Sequence, residues 1–187
     1  GIFTVRKHEI DWYYQQGASF LFPDLWEGFV APIPVAERGD LISAYYKRLT
    51  GDDAAEQLRC AKAWSIWEGG TASLLPNPER VSHFGGDRFA LAFARIECHY
   101  FINHGFFETD GQLIAQVEKL RHIPAVIVQG RYDVITPMTT AWDLHRAWPE
   151  ADFRIVADAG HATTDAGILH NLVQATAAFG MRETHSS

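Results

Sequence analysis

Apolar residues recur at helical spacing through the first hundred positions of the chain. Over residues 35–50, Leu41, Ala44, Tyr45 and Leu49 share one helical face, and Gly51 with Asp52 makes a stop followed by a new N-cap. A second helix is predicted over residues 53–67 and a third over 87–103. Residues 69–85, bracketed by Gly69, Gly70, Pro76, Pro78, Gly85 and Gly86, read as a connecting loop. Ahead of these, residues 2–5 read as a strand-like opening. Trp12, Tyr13, Tyr14, Phe20, Phe22, Pro23, Trp26, Pro32 and Pro34 then mark irregular structure with short helices.

The pattern changes after Asp110. Residues 112–120 form a short amphipathic helix, and residues 123–128 (IPAVIV) form a compact β-branched run ending in Gly130, the signature of a buried parallel strand. A helix over 138–147, a strand over 152–156 and a helix over 164–179 complete the chain. Alternating strands and helices imply an α/β sheet. The predicted organisation is therefore a short strand segment at 1–7, an all-helical insertion at 8–108, and the last two strand–helix units of a doubly wound α/β domain at 109–187. No internal repeat or low-complexity tract interrupts it.

Composition narrows the function classes. The 187 residues carry 16 Lys and Arg against 23 Asp and Glu, a formal net charge of −7. No basic excess exists to displace counterions, so a nucleic acid is not expected as partner. With 47% hydrophobic and 21% charged residues the chain falls in the range of ordinary globular domains. No stretch approaches the roughly eighteen apolar residues that would span a bilayer, and no basic-then-apolar leader opens the sequence. A soluble protein without membrane partners is expected. Cys60 and Cys98 lie in separate helical patterns and form neither a disulfide framework nor a metal cluster, which fits a reducing cytoplasm. Because the chain begins at Gly1 without Met, a processed or incomplete product is expected.

In open α/β sheets, ligands bind beyond the C-terminal ends of the strands. Asp133 follows the first predicted strand and His161 the second, each with a glycine nearby. Acid then histidine is the order of the second half of an α/β-hydrolase triad, in which a buried carboxylate holds the imidazole that accepts a nucleophile's proton. Either residue alone reads as an ordinary turn or helix-start residue; their joint placement favours the catalytic reading. His8, His83, His99, His104, His122, His145, His170 and His185 lack such placement, and no pair of them has metal-ligand spacing.

Five blocks in order, IFTVRKHEIDWYYQQGASFLFPDLWEGFVAPIP, LTGDDAAEQLRCAKAWSIWEG, FARIECHYFINHGFF, VIVQGRYDVITP and AGH, give the chain a resemblance to the proline iminopeptidases, serine peptidases of the α/β-hydrolase fold. The resemblance spans nearly the whole chain and implies the C-terminal part of that fold, with a helical cap domain. By position it implies Asp133 and His161 as triad acid and base. It likewise implies Glu68 and Glu97 as the cap carboxylates that bind the substrate's free amino terminus, and Phe3 and Tyr13 as walls of the proline pocket. Thr136 is a departure, standing where several relatives carry Cys. No metal or organic cofactor is implied, and the implied substrates are short peptides with N-terminal proline.

The residues bear on Glu97 independently. It interrupts the run Leu91, Ala92, Phe93, Ala94, Ile96, Tyr100 and Phe101, so burial is expected, with a positive partner nearby. Arg95, Arg88 or another residue of the insertion is the structural candidate and a substrate amine the functional one. Trp64, Trp67, Phe93, Tyr100, Phe101, Phe106 and Phe107 are expected mainly as core of the insertion.

A nucleophile elbow of the Gly-x-Ser-x-Gly type is not found among Ser19, Ser43, Ser65, Ser73, Ser82, Ser186 and Ser187. In the resembled family the nucleophile and oxyanion loop lie upstream of the block starting at Gly1. This chain alone is therefore expected to be inactive, with association with a missing N-terminal half as one possible partnership and uncovered apolar faces as a consequence. Two other readings stand beside the serine aminopeptidase: a capped hydrolase acting on esters or other small molecules, and a noncatalytic fragment or binding module.

Overall fold

The structure, a computed structural model, describes residues 1–183. His185, Ser186 and Ser187 lie outside the described residues. Helices dominate the first part: α1 (Lys7–Tyr14), α2 (Pro23–Val30), α3 (Leu41–Leu49), α4 (Ala54–Thr71), α5 (Pro78–Phe84) and α6 (Asp87–Ile102), with single 3₁₀ turns at Ala18–Phe20, Val35–Glu37 and His104–Phe106. Then come α7 (Gln112–Ala115), a 3₁₀ turn at Val117–Lys119, β1 (Val126–Gly130), α8 (Met138–Ala147), β2 (Asp152–Val156) and α9 (Ala166–Glu183).

Local chemistry sets most of these boundaries. Asp40 caps α3 by accepting from Ser43 N at 3.0 Å, and Lys47 and Arg48 occupy its negative end. Asp53, not Asp52, caps α4 by accepting from Ala55 N and Glu56 N. Pro23 and Pro78 sit in the first turns of α2 and α5, where a missing N–H costs nothing.

β1 and β2 pair in parallel from Val126 opposite Asp152 to Gly130 opposite Val156, with α8 as the crossover. Val128, Val156, Ala159 and Ile168 form one core beside the sheet, and Val117, Ile127, Trp148 and Ala151 another. The helical part has a larger core in which Phe29, Tyr45, Trp64 and Trp67 are almost fully buried. Phe29 and Tyr45 stack at 4.9 Å, and Tyr14 stacks on Trp64 at 4.4 Å. Ile155 of β2, Trp142 of α8, and Leu169 and Val173 of α9 are exposed.

Several expectations need correction. Residues 2–5 form no strand, because side chains take their backbone donors: Ile2 N donates to Gln129 Oε1, and Thr4 N donates to Glu9 Oε2. The span 69–85 is not one loop. α4 runs on through Gly69 and Gly70, and α5 starts at Pro78 under an Asn77 cap. Residues 112–120 break into α7 and a 3₁₀ turn. The strand expected over 123–128 begins three residues later, at Val126 beyond Pro124, and ends at Gly130. Tyr100 and Phe106 are not core, with 52% and 60% of their surface exposed. α6 packs inward through Ala90, Ala94, Cys98 and Phe101, which leaves Tyr100 on its outer side.

Candidate active site

β1 ends at Gly130, and the chain turns at once to bring Asp133 under the loop that follows β2. A side chain at Gly130 is impossible, since a Cβ there would lie 2.0 Å from the Gly160 carbonyl oxygen. Arg131 N donates to Val156 O and Tyr132 N to Ala159 O, at 2.9 and 3.0 Å, so the two loops are stitched through their backbones. This brings His161 Nδ1 to 3.0 Å from Asp133 Oδ2 and 3.2 Å from Oδ1.

Asp133 is buried and accepts from every side. Thr136 N donates to Oδ1 at 2.8 Å, and Thr136 Oγ1 donates to Oδ2 at 3.0 Å. Gln129 Nε2 approaches Oδ2 at 3.3 Å and donates to Thr136 O at 2.9 Å. These donors fix the carboxyl group in place, where it accepts from the Nδ1–H of the imidazole. The other ring nitrogen, Nε2, is then the one able to accept a proton. Thr136 thus acts as an additional clamp on the acid, and its hydroxyl lies 3.2 Å from His161 Nδ1.

α4 delivers a second group to the same place. The residue that caps its C-terminus, Ala72, accepts from both His161 N and Ala162 N at 2.9 Å. One turn earlier on α4, Glu68 is buried and accepts from the Tyr14 hydroxyl. Glu97 on α6 accepts from Trp64 Nε1 at 2.9 Å. Tyr14 and Trp64, stacked on one another, therefore each hold one carboxylate.

Among the described residues neither glutamate has a cationic partner. Arg88 and Arg95 are exposed, and among the described residues no cation pairs with Glu97, whose side chain meets Trp64 instead. Burial consequently raises the Glu97 carboxyl to about 7. Burial, and then the negative charge of Glu97, push Glu68 well above the usual carboxylate range, against the Tyr14 and Tyr13 hydrogen bonds that lower it.

A cavity of about 350 Å³ unites these groups. Glu68, Glu97, His161, Phe3 and Tyr13 all line it, with Phe93, Phe101 and Tyr14 completing an aromatic wall. Its size is at the low end for small-molecule sites, and its mix of an apolar wall with a few polar groups is typical of them. Asp133 lies behind His161 and outside the lining, as a buried orienting acid requires. Of the aromatics expected as core, Phe93 and Phe101 also face this cavity. Ser65 lies inside α4 with its hydroxyl toward Ala90 O, consistent with its helical reading.

Sequence reasoning missed Gln129, Glu9 and Tyr14. Gln129 had a signal, a lone amide in the apolar strand VIVQG, and it is fully buried. Tyr14 had none beyond its neighbour Tyr13. Among the described residues no group of His, Cys, Asp and Glu could hold a metal ion, and no helix is long and apolar enough to cross a membrane.

Comparison with known proteins gives these groups a context. The family described as alpha/beta hydrolase fold matches residues 13–165. A probable proline iminopeptidase from Leptolyngbya boryana is 57% identical over 185 residues, covering 99% of this chain and 58% of that protein. The proline iminopeptidase of Arabidopsis thaliana is 55% identical, over 94% of this chain and 46% of its own length. That of Xylella fastidiosa strain Temecula1 is 50% identical, over 96% and 57%. The chain spans about half the length of these curated relatives. With its family match covering most of its length and its acid and histidine following successive parallel strands, the chain belongs to the alpha/beta hydrolase fold family.

Proposed function

We propose that this chain carries the acid–base pair and the substrate pocket of a serine aminopeptidase that removes N-terminal proline from peptides. The observation that carries the reading is the single cavity in which two uncompensated carboxylates, an aromatic wall and His161 converge. An N-terminal proline is a secondary ammonium on an apolar ring. Its two N–H groups and positive charge match Glu68 and Glu97, while Phe3, Tyr13, Phe93 and Phe101 enclose the ring.

A serine supplied by sequence beyond these 187 residues, in the same polypeptide or an associated one, attacks the carbonyl. His161 Nε2 takes its proton and Asp133 stabilises the imidazolium. The proton passes to the leaving amine as the C–N bond breaks, and water then hydrolyses the acyl-enzyme by the same route. The relatives' printed names and the spans they cover support this reading, as does the burial of Ser65 inside a helix.

The test compares a prolyl arylamide with its N-acetylated form, using this chain together with the sequence that supplies the serine and with chelator present. Acetylation removes the positive charge and the N–H donors, so a rate loss of about a hundredfold or more is expected. Equal rates on the two substrates would remove the glutamates as amine binders and overturn the proposal.

A further inference from the structure

Val5 has φ of +58°, a left-handed conformation that a β-branched residue avoids. Such strain persists only where the surroundings over-determine it. Val5 packs against the helical core beside Gly105, and the hydrogen bonds that hold the backbone on either side of it converge on one side chain. Glu9 Oε2 accepts from Thr4 N at 3.2 Å, Thr4 Oγ1 at 2.8 Å and Arg6 N at 2.8 Å, so it grips the residues on both sides of Val5. Its other oxygen, Oε1, accepts from the Thr140 hydroxyl on α8. Arg6, 3.7 Å from Glu9, extends the tie through an ion pair with Asp143 of α8 at 2.9 Å.

Capping α1 would need only the bond from Arg6 N. The remaining contacts act on the segment that carries Phe3. That ring meets Phe101 edge-on, with centroids 5.6 Å apart, and both line the cavity with Glu9 itself. A Val5 relaxed to negative φ would turn the chain and carry Phe3 away from Phe101. We infer that Glu9 is a positioning residue for the pocket, its buried carboxylate clamping the strained backbone at Val5 and thereby fixing Phe3 in the wall that receives the substrate ring. This rests on the reading of the cavity as the proline site.

The experiment places para-fluorophenylalanine at position 3 and follows its fluorine resonance while prolinamide is titrated as probe. In wild type the resonance is displaced from that of the free amino acid and moves on binding. Glu9→Ala is expected to shift the resonance toward the solvent-exposed value and weaken prolinamide binding about tenfold. Adding Val5→Gly, which adopts positive φ without strain, is expected to restore both toward wild type. A merely structural Glu9 would lower the melting temperature of Glu9→Ala while leaving resonance and affinity unchanged, and that result overturns the inference, as does a double variant no better than the single one. If Glu9→Ala does not fold, Thr140→Val removes the Oε1 donor while keeping the side-chain shape. It should shift the resonance in the same direction, and no shift overturns the inference. Failure of wild type to bind prolinamide would count against the proline reading, while the position 3 resonance still decides the role of Glu9.

Discussion

Glu97 shows how one residue can be set against the stability of its own fold. Its carboxyl titrates near 7 rather than at the usual 4.5, because burial disfavours the anion and no cation compensates it. The unfolded chain ionises first as pH rises. The contribution to stability is therefore complete below about 4.5 and is lost as pH climbs through about 7. Glu97→Gln keeps an acceptor for Trp64 Nε1 without the charge. It should leave the melting temperature at pH 5 nearly unchanged and raise stability at pH 8 by on the order of 1–2 kcal/mol, read by thermal unfolding at both pH values. Equal effects at the two pH values would show that ionisation of Glu97 costs the fold nothing. The sequence exposed this residue as a carboxylate amid apolar neighbours, but not the absence of a partner. Arg88 and Arg95 are near in sequence, yet helix geometry turns them to solvent.

At the scale of the element, α4 links the two halves of the site. It carries Glu68 one turn before its end, and the carbonyl of its C-cap, Ala72, receives both His161 N and Ala162 N. Such contact requires close backbone approach at Gly160, where a Cβ would meet Leu74 N at 2.9 Å and Ala72 O at 3.1 Å. Gly160→Ala should therefore force the loop off the helix end and lower stability by about 1–3 kcal/mol, measured by denaturant unfolding. An unchanged midpoint would mean that the junction yields without cost. The length of α4 was not legible locally. Two successive glycines read as a break, but in the fold they make room: a Cβ at Gly69 would lie 2.9 Å from Phe84, and one at Gly70 would lie 2.8 Å from Leu25. Packing of α5 and α2 against α4 outweighs the weak helix propensity of glycine.

Across the whole molecule, the thiols report the integrity of the helical core. Cys60 on α4 and Cys98 on α6 are both fully buried, and burial raises them to about 11 and about 12. The thiolate is the reactive form, so neither should react with an aromatic disulfide reagent at pH 8 in the native state, and both should react once denaturant unfolds the chain. Prompt native reaction of either thiol would show that α4 and α6 open independently of global unfolding.

The sequence by itself determined the helices whose apolar spacing was regular, the strand at 152–156, the helix at 138–147, and the positions of Asp133 and His161 after successive strands. These follow from local signals, periodicity and chain order, which need no knowledge of what packs where. Only the tertiary structure decided that Glu68 and Glu97 share one cavity without a cation, and that Gln129 and Thr136 clamp Asp133. It alone also placed Glu9 around a strained Val5. Those relations join residues as far apart as Glu9 and Thr140. Hydrogen bonding and desolvation depend on distance in space, and distance along the chain does not encode them.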